Sequence, residues 1–350
     1  MLNLTKKYFH WFLFTIKTFT LKKPLIVEIL PEETVIRNKP VNFIQSDALY
    51  FNNEFKIKIG PCFEIICRKA LVMKYGHIVL NNKILKQSWS GEPFLFQDLY
   101  WNFTFEKAIK TQLPCCVFTS WSDNYFHWFC DVMPKLMYLK NKGELESYVY
   151  YFSNVHNKKY ITDSLDLLNV SYKFFSIDDN CLFVSKLKYI SLTAEIGNYR
   201  PNLLNNIHTF FVEKVNKTGV KKKPFRRIYI SRSKADKRFI LNEENLIPIL
   251  IENNFEIIHF EDLSLLNQIE LMTETLILIS IHGAGLTNML FMPPNGFVYE
   301  FRRKNDYHNN CFFSLASIFE LKYIYQICDF IDEDINVDIN LFYDNIKNFL

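Results

Sequence analysis

Beyond residue 224 the chain alternates between two hydrophobic periods. "RRIYISR", "FEIIHF", "TLILISI", "GFVYEF" and "KYIYQI" are short apolar runs of strand length. Between them, "NEENLIPILIENN", "SLLNQIELMTE", "TNMLFM" and "NNCFFSLASIFE" predict helices, with Asp262 or Ser264 available as N-cap of the second. "TLILISI" is apolar throughout, which predicts the sheet centre, where both faces are covered. This order predicts a Rossmann-like parallel sheet with right-handed crossovers.

The first half is written differently. Residues 25 to about 110 read as short strands and turns, and "FEIICRKALVMKYGHIVLNNKIL" predicts hairpins around an asparagine turn. From residue 111 strands and helices alternate: "LPCCVFTS", a helix through Tyr138, "SYVYYFS", the pair "LDLLNV" and "YKFFSI", then "LKYISLT". "NKTGVKKKP", residues 216–224, is polar, basic and closed by proline, as a linker would be. The expected division is an N-terminal domain over 24–215, a linker over 216–224 and a nucleotide-binding domain over 225–350.

A length of 350 residues suits two domains, and 49% hydrophobic with 22% charged residues describes a folded globular chain. Bases exceed acids by only four, so nothing points to a nucleic-acid partner. Eight cysteines occur without a C-x-x-C pair, which removes zinc spacing and favours buried free thiols. No cleavable signal is evident. The apolar stretch Tyr8 to Ile16 is too short to span a bilayer, and its basic flanks fit a membrane-interface helix over 1–23 as well as they fit a docked one. The N-x-S/T triplets at Asn3, Asn102, Asn169 and Asn216 are expected by chance in so asparagine-rich a chain.

Two stretches carry chemistry. In "SDNYFHWFCDVMPK", Asn124, His127 and Asp131 share one face of a helix, while Phe126, Phe129, Met133 and Leu136 can pack inward. A lone histidine there would be an ordinary core residue; a three-membered polar stripe makes an active-site wall an equal reading. The second stretch is the edge at the carboxyl ends of the predicted C-terminal strands, where ligands of such sheets lie. It holds Arg232 and Arg238, then His282, Gly283, Ala284, Gly285, Leu286, Thr287 and Asn288, then Glu300, Arg302 and Arg303. Arginines bind phosphates bidentately, and glycines admit a close ligand and positive φ. Amides at a helix head attract phosphate oxygens, and Glu300 can accept from sugar hydroxyls. A nucleotide diphosphate fits this edge. G-x-G-x-x-G and the Walker A ending are both missing, which disfavours NAD and P-loop chemistry.

"NYFHWFCDVMPKL", "RRIYISRSKADKRFILNEENL", "FEIIHFEDLSLLNQIELM" and "SIHGAGLTNMLFMPPNGFVYEF" together resemble glycosyltransferase family 61 over residues 115 to 330, of the sort that builds capsular and other surface polysaccharides. The resemblance implies a GT-B architecture: two Rossmann-like α/β domains facing across a cleft, here with a β-rich N-terminal extension. It implies inverting, metal-independent transfer from a nucleotide sugar, taken as UDP-linked, to a glycan or lipid-linked glycan acceptor. No resident cofactor is implied. By position Arg232, Arg238 and His282 to Asn288 fall on the donor motifs, while Asn124, His127, Asp131 and Glu300 fall on the cleft. Asp131 is preferred as base with His127 positioning it, and the reverse stays open. The Asp332-x-Asp334 pair is read as solvated loop, and "INLFYDNIKNFL" as a helix crossing back to the first domain. The expected location is cytoplasmic, at the inner face of the plasma membrane if the first helix binds there. The alternative is a catalytically inactive relative that binds glycan or partners in a synthesis complex; a Rossmann oxidoreductase is a third class.

Overall fold

The computed structural model describes residues 23–348 except 52, 74–76, 81–82, 89–108, 112–114, 118–121, 176–180 and 217–222. The expectations for the first helix, the asparagine turn and most of the linker therefore fall outside the described residues. The chain forms two compact α/β units, residues 1–32 with 60–194, and residues 33–59 with 195–350.

In the first unit a nine-stranded sheet is mixed rather than parallel. Its seam is the antiparallel pair of two long strands, Cys62–Met73 and Cys181–Ile190. On one side of the seam lie the parallel strands Cys115–Val117, Val149–Ser153 and Ser171–Phe175. On the other lie the antiparallel strands Leu25–Leu30, Ile78–Leu80 and Lys83–Ile84. Of the β-rich stretch expected as an extension, the strands Leu25–Leu30, Cys62–Met73, Ile78–Leu80 and Lys83–Ile84 are thus hydrogen-bonded into the main sheet. The reason is that Cys62–Met73 matches Cys181–Ile190 in length and brings Ile65, Ala70 and Val72 into one core with Leu182, Val184 and Leu187.

In the second unit the strands lie in the order Glu256–Ile258, Arg226–Ile230, Thr275–Ile281, Phe297–Arg303, Lys322–Ile331, all parallel, with Asp334–Asn336 added antiparallel at the edge. Thr275–Ile281 is central, as its apolar run predicts, and Ser264 is the N-cap of Leu265–Thr273. Counted along the chain the order is 2-1-3-4-5, which reverses between Arg226–Ile230 and Thr275–Ile281. Ligands of doubly wound sheets bind at such a reversal.

Three expectations change here. The second unit begins at Glu195, not at residue 225, because the helix Pro201–Val215 packs on Leu265–Thr273 and on the 3₁₀ turn Ala284–Phe291. It also takes residues 33–59, where the hairpin Glu33–Ile36 with Lys56–Ile59 encloses an aromatic cluster of Phe43, Phe51 and Phe55. Phe51 extends this cluster to Phe313 and Tyr325. The last helix, Ile339–Lys347, packs on Glu243–Glu252 of its own unit instead of crossing back, since Phe342 and Ile346 complete the core around Leu246 and Leu250. Finally, Asp332 and Glu333 form the exposed two-residue turn of a hairpin, whereas Asp334 opens its second strand, is half-buried and accepts from the Phe239 N–H at 2.8 Å. Among the described residues, no helix is long and apolar enough to cross a membrane. Cys62, Cys67, Cys130 and Cys328 are buried free thiols and Cys311 is half-buried.

A buried charge network anchors the helix that ends at Asn141. Its C-cap Lys142 bonds Glu64 at 3.2 Å and Glu144 at 2.9 Å, and Lys188 bonds Glu64 at 3.1 Å and also Glu144. Burial works against the Lys188 charge, but bonds to Glu144, Tyr148 and Glu64 outweigh it and raise its pKa. The Lys188 bond depresses Glu144. A depressed carboxylate stabilises the fold above its ordinary range, and that contribution is lost as pH falls through the depressed value. Lys188→Met is expected to cost on the order of 3 kcal/mol, because Glu64 stays buried with one partner fewer. It should also flatten the acid limb of stability against pH. Urea melts at neutral and acid pH measure both, and a variant as stable as wild type at neutral pH removes the network as an anchor.

Candidate functional site

In the first unit the stripe is rearranged by its own cap. Asn124 is extended (φ −87°, ψ 141°) and its side chain accepts from the Phe126 N–H at 2.9 Å, so the helix begins after it. Asn124 is an exposed cap whose side-chain oxygen is committed to the first turn of its own helix. The α-turn Tyr125–His127 widens into a π-turn over Trp128–Val132 and returns to α over Met133–Asn141. Single π-turns often mark functional sites, because they re-aim side chains. Here His127 Nδ1 meets Asp131 Oδ2 at 2.7 Å, with the Asp131 side chain 6% exposed and that of His127 20%. Phe126, Trp128, Phe129, Met133 and Leu136 are buried, and the Trp128 indole N–H donates to Ser164 Oγ at 2.8 Å, which pins the turn.

The segment just before the cap is clamped as well. Ser122 Oγ lies 2.7 Å from His156 Nε2, and His156 Nδ1 lies 3.2 Å from the Ser153 carbonyl. Burial lowers the His156 pKa, which favours a neutral ring here. Tyr160 and Lys158 both donate to the Asp123 carbonyl, at 2.5 and 2.8 Å. This serine–histidine pair was not singled out from sequence, and its partners lie 34 residues apart.

In the second unit the reversal point brings together the ends of Arg226–Ile230 and Thr275–Ile281. Arg232 is half-buried, and its Nε and Nη2 donate to the Lys237 carbonyl at 3.3 and 2.9 Å. Its Nη1 lies against Gly283, where a Cβ would stand only 3.0 Å away. Gly283 is extended (φ 176°), and neither it nor Gly285 is among the glycines with positive φ. The glycines therefore serve close approach, to Arg232 at Gly283 and to Ile230 at Gly285, and not left-handed backbone. Burial pulls the Arg232 pKa down; Glu261 and Asp236 oppose this and Arg238 adds to it. A guanidinium partly stripped of water, with a like charge nearby, is a seat for an anion.

Arg238 itself stands at φ 64°, a left-handed conformation that side chains other than glycine adopt rarely, and its Nε is 3.6 Å from Glu333. It lines a pocket of about 140 Å³ with His282, Arg303, Asp306, Asn309 and Glu333. The expected turn-then-helix after the central strand is a single 3₁₀ helix, Ala284–Phe291, with both Ala284 and Gly285 inside it. Ala284 and Gly285 are half-buried, whereas Leu286, Thr287 and Asn288 are buried and hold the turn rather than line the pocket. Thr287 Oγ1 has no hydrogen-bond partner among the described residues.

Glu300 is corrected in role. It lies within Phe297–Arg303 with no exposed surface, one oxygen bonded to His282 Nδ1 and the other accepting from Tyr323 Oη at 2.5 Å. It cannot meet a sugar hydroxyl; it orients His282. Burial and Glu300 push the Tyr323 pKa far up, so the phenol stays a donor. Arg302 is likewise buried, gripping Asn310, Asp306 and Asn309. Arg303 belongs to the predicted strand-end edge, whereas Asp306, Asn309 and Glu333 are not among the residues predicted for it. The polar run "KNDYHNN" directly after a strand end is the signal that could have found Asp306 and Asn309.

The sequence profile of glycosyltransferase 61 matches residues 125–299, half of the chain, beginning at the His127 turn and including Arg232, Arg238 and the His282 to Asn288 segment. The chain is also similar to EGF domain-specific O-linked N-acetylglucosamine transferases. It is 34% identical over 98 residues to that of Drosophila melanogaster (27% of this chain, 18% of that protein). It is 32% identical over 103 residues to that of Mus musculus (28% and 19%), and 31% over 115 residues to that of Rattus norvegicus (31% and 21%). The matched stretch spans about a fifth of those relatives' length. With the profile covering half of its length, this chain belongs to glycosyltransferase family 61.

Proposed function

We propose that the protein moves a sugar from a nucleotide-sugar donor to a hydroxyl of a glycan acceptor, with inversion and without a metal, in the division of labour of a GT-B enzyme. The observation that carries this reading is the cationic reversal point of the second sheet, where Arg232 lies against Gly283 and Arg238 shares a pocket with His282. UDP-N-acetylglucosamine is the first donor to test, since the similar proteins are named for transfer of that sugar. The acceptor of the surface-polysaccharide type rests on the four-motif resemblance. The relatives' names supply a second reading, a hydroxyl on an EGF domain, and an assay offering both acceptors separates them.

In this reaction the acceptor oxygen attacks the anomeric carbon, the new C–O bond forms as the bond to the diphosphate breaks, and the electron pair leaves with the diphosphate. Arg232 and Arg238 would stabilise that charge. The acceptor proton goes to a base in the first unit. Burial favours His127 for this role, the reverse of the preference for Asp131. The more buried Asp131 commits Oδ2 to His127 Nδ1, which leaves Nε2 as the basic atom. The intact dyad also speaks for an enzyme over an inactive relative. We place the protein on the cytoplasmic side of the membrane, with the basic-flanked Tyr8 to Ile16 stretch as its contact.

Arg232→Ala and Arg238→Ala should each weaken UDP binding by roughly 1.5–3 kcal/mol, read by calorimetry. Unchanged affinity in both removes the reversal point as donor site. Asp131→Asn and His127→Ala should keep UDP affinity and lower turnover by about 10²–10⁴-fold. If His127 is the base, the acid limb of the pH–rate profile disappears in His127→Ala, whereas Asp131→Asn only lowers and shifts it. An acid limb that survives in His127→Ala returns the base to Asp131. Excess chelator should leave turnover intact; loss that Mn²⁺ restores overturns the metal-independent reading.

A further inference from the structure

The donor pocket has two chemically different walls. Arg238 and Arg303 offer N–H donors and positive charge, and His282 lies beside them; Asp306, Asn309 and Glu333 offer acceptors. Glu333 is already engaged, 3.6 Å from both Lys237 and Arg238. Asp306 Oδ2 accepts from Asn309 Nδ2 at 3.1 Å, and among the described residues Asp306 Oδ1 and Asn309 Oδ1 remain as acceptors on that wall beside the Glu333 Oε1 that its two cations do not touch.

The loop that carries them is built from below. Arg302, fully buried, donates from Nη1 to Asn310 Oδ1 at 2.9 Å and from Nη2 to the carbonyls of Asp306 and Asn309 at 3.3 and 3.2 Å. From the side, Tyr50 Oη accepts from the Asn305 N–H at 3.2 Å, and the Tyr50 carbonyl accepts from Asn310 Nδ2 at 2.9 Å. The Tyr50 ring lies 4.8 Å from that of Tyr307. The backbone from 305 to 310 is thus held at both ends, while the Asp306 side chain is half-buried and Asn309 is exposed. A planar guanidinium fixed in this way fixes its acceptors, which is how a site gains precision from a loop.

We propose that Asp306 and Asn309 read a vicinal diol of the donor and so help to set which nucleotide sugar is accepted. The proposal rests on the donor-site reading above. A carboxylate and an amide that are bonded to each other and line one pocket can accept from two adjacent O–H donors, and the cationic wall takes the diphosphate of the same molecule. The diol belongs to the ribose or to the donated sugar. Residues 306 and 309 lie outside the 125–299 stretch that the family profile matches, so the proposal rests on this loop's geometry and not on the match.

The test is calorimetry on wild type, Asp306→Asn and Asn309→Ala, with melting curves as the folding control. The probes are UDP and GDP, their 2′-deoxy forms, UDP-N-acetylglucosamine and GDP-mannose. If the ribose is read, the variants lose roughly ten- to hundredfold affinity for the ribonucleotide, and the preference over its 2′-deoxy form disappears. If the sugar is read, nucleoside diphosphate binding is unchanged and only the added affinity of the sugar-bearing form is lost. Either result supports the assignment. Variants that bind every probe as wild type does overturn it while leaving the donor site standing. Wild-type protein that binds none of the probes overturns the donor-site reading and this proposal with it.

Discussion

A carboxylate with no exposed surface must be met by donors or surrender its charge. Glu300 sits in that position inside the second sheet, and the surrounding strands are written to satisfy it. In register it lies beside Ser280 and Tyr325 on the neighbouring strands, yet its bonds go to His282 and Tyr323, each two residues along. Side chains two apart point to the same face of a strand, so one polar stripe crosses three strands. Arg302, two residues further on Glu300's own strand, extends the stripe to the loop of Asp306 and Asn309. Orientation of His282 and placement of the loop both hang from this buried stripe.

The protein holds two histidine–carboxylate pairs of different construction. His127 and Asp131 are neighbours along one helix, in a turn widened to π; His282 and Glu300 meet across strands. In both, Nδ1 faces the carboxylate and Nε2 is left for a ligand. The first pair suits proton transfer, because a carboxylate that holds the ring also stabilises the imidazolium. The second pair sits among arginines and suits the recognition of an anion.

This difference explains what could be read from the chain. A pair four residues apart follows from helical periodicity alone, so His127 with Asp131 was visible. The cap role of Asn124 was not legible, because a cap residue and a first-turn residue look alike until the backbone is seen. The pair across strands needs register, which depends on sheet order and not on local spacing, and Glu300 was therefore taken for a ligand contact. The strands and helices of the second unit were legible since a parallel sheet buries whole apolar runs. The unit boundaries were not. Residues 33–59 belong with strands far along the chain, and the helix Pro201–Val215 is placed by packing partners that no window of sequence contains.

That borrowed segment, residues 33–59, has a consequence for biosynthesis. Ribosomes add roughly 5–20 residues per second, so the chain from residue 59 to the strand Lys322–Ile331 takes roughly 15–50 s to appear. During that interval Phe43, Phe51 and Phe55 have each other but lack Phe313 and Tyr325, against which Phe51 finally rests. Tyr50 likewise waits for the loop it will brace. The nascent protein therefore carries an incomplete aromatic cluster for most of its synthesis. A shortened form that begins after residue 59 would lack part of the second unit as well as part of the first.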